Sequence, residues 1–158
     1  FLNSYNRDVL TKMFDDNRLT YTSLFKARPH IFVSKSNPLA KHKVVSLEDL
    51  EDFPYLSYDQ GIHNSFYYSE EILSQIPHKK SIVVSDRATL FNLLIGLDGY
   101  TIATGILNSN LNGDNIVSIP LDIDDEIDIV YLKHEKATLS KMGEKFLDNL
   151  VKEVTFDN

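Results

Sequence analysis

The sequence contains no cysteine in its 158 residues. It can therefore form neither a disulfide framework nor a thiolate metal site. Its five histidines are scattered and show neither the HxH nor the HExxH spacing that brings two imidazoles to one metal ion. We expect no metal ion and no other cofactor.

Long apolar runs are also missing. No stretch approaches the roughly 18 to 20 residues that cross a bilayer. The first residues, Phe1 to Ser4, lack the basic and apolar regions of a signal peptide. We expect a soluble chain without membrane contact. Because the sequence does not begin with methionine and opens like the end of a strand, we interpret it as a fragment.

Positive charge is in deficit. The 16 Lys and Arg residues are outnumbered by 23 Asp and Glu residues, which gives a formal net charge of -7. Binding to a phosphate backbone depends on clustered Lys and Arg that displace counterions. If DNA is involved, we expect a segment outside this sequence to contact it.

Apolar material for a core is present, because 42% of the residues are hydrophobic. In the middle of the chain, β-branched and aromatic runs alternate with helical patterns. We predict strands over residues 55–58, 81–84 and 100–104, and helices over residues 65–76 and 86–97. This alternation predicts βαβ units around a largely parallel sheet, which is an α/β fold.

Further elements flank this middle part. Apolar spacing predicts a helix over residues 6–15 and strands over residues 19–25, 30–33 and 127–132. A closing helix is predicted over residues 139–151, with one buried face. That face consists of Met142, Phe146, Leu147, Leu150 and Val151.

Two local signals mark helix ends. Ser46 followed by Asp49 is the capping-box pattern, in which each side chain bonds the backbone amide of the other residue. We predict a short helix there. Gly99 follows the helix over residues 86–97, and we interpret it as a C-cap with positive φ.

The composition changes at two places, residues 34–37 and the acidic residues 122–128. We predict that the chain crosses between two lobes there, so that the middle part is inserted into a discontinuous outer lobe. The acidic stretch lacks the pattern of a calcium-binding loop. A solvated hinge turn is the preferred interpretation.

Polar side chains stand at the ends of three predicted strands. They are Ser57, Tyr58 and Gln60 at the first strand, Ser85 and Asp86 after the second, and Thr104 after the third. In open α/β sheets, ligands bind beyond the carboxyl ends of strands. These residues are therefore candidates for binding a small polar solute. An ordinary structural role, above all capping of the following helix, explains the first two loops equally well.

Asp86 limits which ligand suits the second loop. The positive end of the following helix favours an anionic group. The Asp86 carboxylate competes with such a group unless Arg87 offsets its charge. A zwitterion suits this combination.

The sequence shows few signs of a catalytic site. Ser, His and Asp are present, but no GxSxG elbow surrounds a serine. In the predicted loops, Asp59, Asp86 and His63 have no convincing partner for acid-base chemistry. We predict no catalytic residue and a chain that is not an enzyme.

Three segments resemble the effector-binding part of LysR-type transcription regulators. HIFVSKSNPLA at residues 30–40, followed by VSLEDL at residues 45–50, resembles the start of that family's second regulatory subdomain. ATLFNLLIGLDGYTI at residues 88–102 resembles a further segment, and the closing helix from Leu139 to Leu150 resembles the family's end. The segments follow in the family's order and spacing.

The resemblance implies a fold like that of type 2 periplasmic binding proteins, with two subdomains joined by two crossing strands. Residues 1–35 and 124–158 would form an incomplete subdomain I, and residues 36–123 subdomain II. The predicted ligand residues would face the crevice. Thr104-Gly105 replaces a Leu-Pro pair that is frequent in the family, so we expect the third loop to differ in shape.

The implied function is effector sensing in the cytoplasm. The domain would bind a small polar metabolite, O-acetylserine-like and tied to sulfur amino-acid metabolism, within a homodimer or tetramer. DNA would be contacted only through a winged helix absent from this sequence. Two alternatives share the fold. One is a secreted solute-binding protein with an upstream signal peptide. The other is an enzyme, such as a dehydratase or a deaminase of porphyrin synthesis.

Overall fold

A computed structural model describes residues 1–59, 61, 72–73, 76–108 and 113–156 of the chain. The chain forms two compact units. Unit 1 consists of Phe1–Ala27 and Glu126–Asn158, and unit 2 of Arg28–Asp125. The chain therefore passes between the units twice. The assignment of residues 1–35 and 124–158 to one regulatory subdomain, and of residues 36–123 to the other, stays a prediction.

The order of elements follows the predicted alternation of strands and helices. In chain order they are α1 (Arg7–Asp16), β1 (Leu19–Ala27), β2 (His30–Ser34), β3 (Tyr55–Tyr58), β4 (Ser81–Val84), α2 (Arg87–Gly96), β5 (Tyr100–Ala103), β6 (Ile116–Pro120), β7 (Ile127–His134) and α3 (Lys141–Phe156). Two 3-10 helices, Pro38–Lys41 and Glu48–Leu50, lie between β2 and β3. The predicted helix over residues 65–76 falls mostly outside the described residues.

Unit 2 is built on a five-stranded sheet in the order β4-β3-β5-β2-β6. β3 runs parallel to β4 and β5, with Tyr58 opposite Val84 and Tyr55 opposite Tyr100. β2 runs antiparallel to both β5 and β6. The sheet is therefore mixed: β4, β3, β5 and β6 run in one direction, as the predicted largely parallel sheet requires, and β2 runs in the opposite direction between β5 and β6.

A buried cluster holds α2 on one face of this sheet. It joins the helix to four strands and comprises Phe32, Leu56, Val84, Leu90, Leu94 and Ile116. Leu90 and Leu94 are four positions apart and so share one face of α2. Both have an exposure of 0%. Because burial of one leucine side chain contributes roughly 1.5–3 kcal/mol relative to exposure, this cluster stabilises unit 2 substantially.

The predicted capping box is present. Asp49 Oδ2 accepts hydrogen bonds from the Ser46 amide at 2.9 Å and from the Ser46 hydroxyl at 2.8 Å. Ser46 Oγ accepts one from the Asp49 amide at 3.3 Å. The bond from the Ser46 backbone contributes most to lowering the pKa of Asp49. The pair stands at the start of the 3-10 helix Glu48–Leu50, as the sequence predicts.

Gly99 does not have the positive φ predicted for it. Asp98, one residue earlier, is the left-handed residue, with a φ of 50°. Packing requires the glycine instead, because a Cβ atom at residue 99 would lie 2.1 Å from Leu56 Cδ1 and 2.9 Å from the Pro54 carbonyl oxygen. The prediction was wrong because the pattern of a helix followed by glycine cannot show that another strand passes close by.

Unit 1 contains a two-stranded sheet in which β1 pairs with β7. The strands are antiparallel, from Leu19 opposite His134 to Ala27 opposite Ile127. A small buried cluster accompanies the sheet and consists of Leu2, Leu10 and Phe14. Met13, Leu19 and Val130 are partly buried against it.

The buried face predicted for the closing helix is confirmed only in part. Leu147, Leu150 and Val151 are half-buried. Met142 and Phe146, however, are 77% and 64% exposed. Helical spacing identifies an apolar face but not how much of it finds a partner, and α3 packs on β1 along only part of its length.

Asp128 does not belong to a solvated turn. Asp122 and Asp124 are exposed as predicted, but Asp128 lies within β7 and is 4% exposed. Its carboxylate accepts a hydrogen bond from the Ser23 hydroxyl at 2.5 Å and pairs with the Arg7 guanidinium at 3.2 Å. These partners from β1 and α1 offset the cost of burying its charge.

Candidate functional site

Three polar strand ends lie along one edge of the sheet in unit 2. β3 lies between β4 and β5 and runs parallel to both, so the carboxyl ends of the three strands share this edge. The Asp59 amide donates to the Val84 carbonyl oxygen at 2.8 Å, which places Ser85 beside Asp59. Thr104 directly follows β5. We call this region the polar edge, defined by Ser57, Tyr58, Asp59, Ser85, Asp86 and Thr104.

Ser57 and Tyr58 form the end of β3 and are both half-buried. Their side chains point to opposite faces because side chains alternate along a strand. Tyr58 packs against the buried cluster under α2, so Ser57 points to the other face. Asp59 is exposed, and its Oδ1 accepts a hydrogen bond from the Gly61 amide at 2.8 Å. The predicted residue Gln60 lies outside the described residues.

Asp86 caps α2. Its Oδ1 accepts a hydrogen bond from the Thr89 amide at 2.9 Å, and its Oδ2 accepts one from the Thr89 hydroxyl at 2.7 Å. These bonds, above all the one from the backbone amide, lower the pKa of the exposed Asp86 carboxyl. A negative charge thus already occupies the positive end of the helix. Ser85 is exposed, so its hydroxyl is accessible to a solute.

Arg87 brings a positive charge to the same helix start. Its guanidinium carbon lies 4.7 Å from the centre of the Phe91 ring, which is a cation–π arrangement. Phe91 in turn contacts Phe32, with the ring centres 6.5 Å apart. The arginine therefore follows the capping carboxylate directly and lies over a ring that is anchored to the core.

The loop after β5 is shaped by a contact with β2. Gly105 has a φ of +83°, and a Cβ atom on it would lie 2.5 Å from His30 Nδ1. His30 is the first residue of β2 and pairs with Ala103, so it lies at the same edge of the sheet. The half-buried Thr104 stands between Ala103 and Gly105. A side chain at residue 105 would therefore collide with the imidazole, so this path of the chain requires glycine.

His30 is itself held in place. Its Nδ1 lies 2.8 Å from the Arg28 carbonyl oxygen. Because a carbonyl oxygen only accepts, His30 Nδ1 is the donor in this hydrogen bond. The Ser118 hydroxyl donates to the Gly105 carbonyl oxygen at 3.2 Å. The sequence did not identify His30 or Ser118 as residues of this region. The only signal was the Thr104-Gly105 pair, which stands where the family frequently has Leu-Pro.

The polar edge offers hydroxyl groups, a capping carboxylate and a nearby guanidinium. Within residues 1–59, 61, 72–73, 76–108 and 113–156, no group of three or more His, Cys, Asp or Glu residues is placed to hold a metal ion. Chemically, this edge suits hydrogen bonding to a small solute that carries charges of both signs.

The sequence matches the family model described as LysR substrate binding domain over residues 8–155. The chain belongs to this family. The predicted α/β fold of the type 2 periplasmic-binding-protein kind is confirmed, since substrate-binding domains of LysR regulators have it. No curated protein is similar enough in sequence to count as a match.

Solved LysR structures share the fold at low sequence identity. HinK, a LysR family transcriptional regulator from Pseudomonas aeruginosa, has a TM-score of 0.64 at 17% identity, and the alignment covers 88% of this chain and 49% of HinK. The effector-binding domain of QuiR in complex with shikimate has a TM-score of 0.57 at 18% identity. The alignment covers 90% of this chain and 68% of the QuiR domain. The effector-binding domain of BenM with benzoate has a TM-score of 0.58 at 18% identity. The alignment covers 94% of this chain and 75% of the BenM domain.

This chain therefore spans about half the length of HinK. The QuiR and BenM structures are effector-binding domains that contain small molecules, shikimate and benzoate. In the part of the chain that the structure describes, no helix has the length and apolar character needed to cross a membrane.

Proposed function

We propose that this chain is the effector-sensing domain of a LysR-type transcription regulator and that the polar edge contributes to the site of a small polar metabolite. The observation that supports this proposal is the position of Ser57, Ser85 and Thr104 at neighbouring, parallel strand ends. Ligands of open α/β sheets bind outside the carboxyl ends of the strands. The polar edge is such a place, on the unit with the larger core.

A zwitterion fits this edge better than a simple anion. The Asp86 carboxylate at the start of α2 repels an anion and attracts an ammonium group. Arg87, the next residue, supplies a positive charge for a ligand carboxylate. The Ser57 and Ser85 hydroxyls donate or accept hydrogen bonds. O-acetylserine combines an ammonium, a carboxylate and an ester carbonyl, and it is the effector that we propose, with a link to sulfur amino-acid metabolism.

Control of transcription requires a DNA reader outside this sequence. The net charge of -7 disfavours contact of this chain with a phosphate backbone. We propose a winged helix elsewhere in the intact protein, which acts in the cytoplasm as a homodimer or tetramer. The effector would change DNA binding by the difference in its affinity for two conformations of the regulator. The chain itself binds its effector and performs no chemistry.

Isothermal titration calorimetry of the intact regulator with O-acetylserine, shikimate and benzoate tests this function. We expect saturable binding of O-acetylserine and weaker binding of the other two, which lack an ammonium group. Ser85→Ala should weaken binding roughly threefold to tenfold through the loss of one hydrogen bond. Ser81→Ala is the matched control, because Ser81 is an exposed serine at the other end of β4.

The outcomes separate the function from the effector. Binding of a different polar metabolite, still weakened by Ser85→Ala, would correct only the effector. If no small metabolite binds and operator occupancy never changes, the regulatory function is wrong. An upstream signal peptide in place of a winged helix would instead indicate a secreted solute-binding protein.

A further inference from the structure

A cavity lies at the edge of the sheet opposite the polar edge. It has a volume of about 100 Å³ and belongs entirely to unit 2. Leu50, Phe53 and Pro77 form its apolar wall, and His78 and Tyr100 its polar wall. β3 and β5 begin at this edge and end at the polar edge, so the two regions are separated by the length of a four-residue strand, about 10 Å.

The polar wall is a fixed pair of side chains. His78 Nδ1 lies 2.9 Å from the Tyr100 hydroxyl. The His78 ring stacks on Tyr55, with ring centres 3.9 Å apart, and Tyr55 is 2% exposed. The backbone fixes the same region, because the Tyr100 amide donates to the Pro54 carbonyl oxygen at 3.0 Å. The imidazole and the phenol therefore keep one arrangement beside the cavity.

The lining carries no net charge near neutral pH. Burial raises the pKa of Tyr100 to about 12, so its hydroxyl stays protonated. Burial also lowers the pKa of His78 below its ordinary value of 6.5, so its ring is uncharged at pH 7.5. Lys79 and Glu51, the charged residues of the lining, neutralise each other in an ion pair of 2.5 Å. A neutral ligand matches these surroundings.

The Tyr100 hydroxyl has hydrogen-bonding capacity to spare. A phenol can both donate and accept a hydrogen bond, and the bond with His78 Nδ1 uses one of these two functions. His78 Nε2 is buried and has no surface that a ligand could reach. The hydrogen bond with the Leu73 backbone raises the pKa of His78, but burial lowers this pKa by more. The remaining function of the Tyr100 hydroxyl is therefore the polar feature that the cavity offers to a ligand.

We propose that this cavity is a second binding site, for a small neutral ring compound that carries a hydrogen-bonding nitrogen or oxygen. A cavity of about 150 Å³ accepts benzene, so the smaller volume here suits a five-membered ring. The apolar wall contacts the ring faces, and the Tyr100 hydroxyl, which His78 holds in place, bonds the heteroatom. This proposal does not depend on the proposed effector function.

Pyrazole is a suitable probe, because its five-membered ring is neutral and carries both a donor and an acceptor. We expect pyrazole to bind the intact chain with a Kd on the order of 1 mM, as small fragments do. The measurement is the ring ¹⁵N chemical shift of His78 in a histidine-labelled chain. His78 should shift saturably while the exposed His42 and His134 do not. Absence of a saturable His78 shift would overturn the proposal.

Variants locate the bound probe. Phe53→Trp should fill the cavity and abolish the shift, whereas Tyr100→Phe should weaken binding roughly threefold to tenfold by removing one hydrogen bond. Ser57→Ala, at the polar edge, should leave pyrazole affinity unchanged. If Phe53→Trp fails to fold by circular dichroism, Tyr100→Phe decides. Unaltered affinity in Tyr100→Phe, or weakened affinity in Ser57→Ala, would place pyrazole elsewhere and refute the site.

Discussion

The two compact units differ in how much of their apolar material they bury. In unit 2, a buried cluster joins α2 to four strands of a five-stranded sheet, and Leu90 and Leu94 have no exposure. In unit 1, the cluster around Leu10 is smaller, and Met142 and Phe146 are mostly exposed. A two-stranded sheet offers less surface for packing than a five-stranded one, which accounts for the difference.

The polar edge belongs to the unit with the larger core. Tyr58 packs against the buried cluster, and Val84, which directly precedes Ser85, belongs to it. Strand ends that start from a packed core keep their positions, which is what ligand recognition requires. We therefore expect substitution of a buried leucine by alanine to lower the free energy of unfolding more in unit 2 than in unit 1.

The largest expected effect is on the core of unit 2. Leu94→Ala should lower the free energy of unfolding by about 3–5 kcal/mol, since a fully buried leucine leaves a cavity between helix and sheet. Leu10→Ala in unit 1, where Leu10 is 9% exposed, should cost about 2–3 kcal/mol. Urea unfolding of both variants measures the two costs.

The control for this comparison is Ile95→Ala, a neighbouring position on α2 that is 43% exposed. Its effect should stay within about 0.5–1 kcal/mol, because little apolar surface is lost. Equal costs for Leu94→Ala and Leu10→Ala would show that the two cores do not differ in the way described.

The next effect tests how β2 shapes the polar edge. Gly105→Ala should cost about 1–3 kcal/mol, because alanine disfavours the φ of +83° and its Cβ meets the His30 ring. In a His30→Ala background the steric part disappears, so the change should cost only about 1 kcal/mol. A double-mutant cycle from urea unfolding measures this difference.

Gly113→Ala is the matched control for that cycle. Gly113 also has a positive φ, of +67°, but a Cβ atom there would meet nothing within 4 Å. Gly113→Ala should therefore lower the free energy of unfolding by the same amount with and without His30. If the costs of Gly105→Ala and His30→Ala simply add, the contact between them does not determine the loop.

A smaller effect is expected from the buried carboxylate of unit 1. Asp128→Asn removes the charge that binds Arg7 and weakens the hydrogen bond with Ser23. We expect a loss of about 1–2 kcal/mol, because Arg7 is partly exposed and regains water. Thermal unfolding measures the loss, and Asp124→Asn, at an exposed position, should change little. If Asp128→Asn unfolds at the same temperature as the unmodified chain, unit 1 does not rely on this polar network.

The smallest expected effect is the pH dependence that His78 gives to the stability of unit 2. Burial lowers the pKa of folded His78 below 6.5, so the unfolded chain binds the proton more strongly. The resulting stabilisation is complete above about pH 6.5 and decreases as the pH falls through the folded-state pKa. His78→Gln should reduce the difference in urea midpoint between pH 7.5 and pH 5.5. His42→Gln, at an exposed site, should leave that difference as it is.

Much of the fold could be predicted because its signals are local. Residues 55–58 and 81–84 form strands as predicted, and the Ser46–Asp49 pair closes the predicted capping box. Side-chain periodicity and capping depend on neighbours within a few residues. The direction of β2 in the sheet was not predictable in this way, because pairing with β5 and β6 involves residues far apart in sequence.

The candidate site could be predicted in outline. Ser57, Ser85 and Thr104 were recognisable because a polar residue at the end of an apolar strand is visible in the sequence. Their assignment to a ligand stays a prediction. His30 was not recognisable, because only the pairing of His30 with Ala103 brings its ring to Gly105.

Local patterns and motif spacing are enough to predict the order of strands and helices, the family, and the strand ends that carry polar side chains. Three features depend instead on contacts between distant segments: the need for glycine at residue 99, the part of α3 that is covered, and the need for glycine after Thr104. The physical reason is the same in each case. Close approach between distant segments excludes or admits individual atoms, and the pattern of a single segment does not record it.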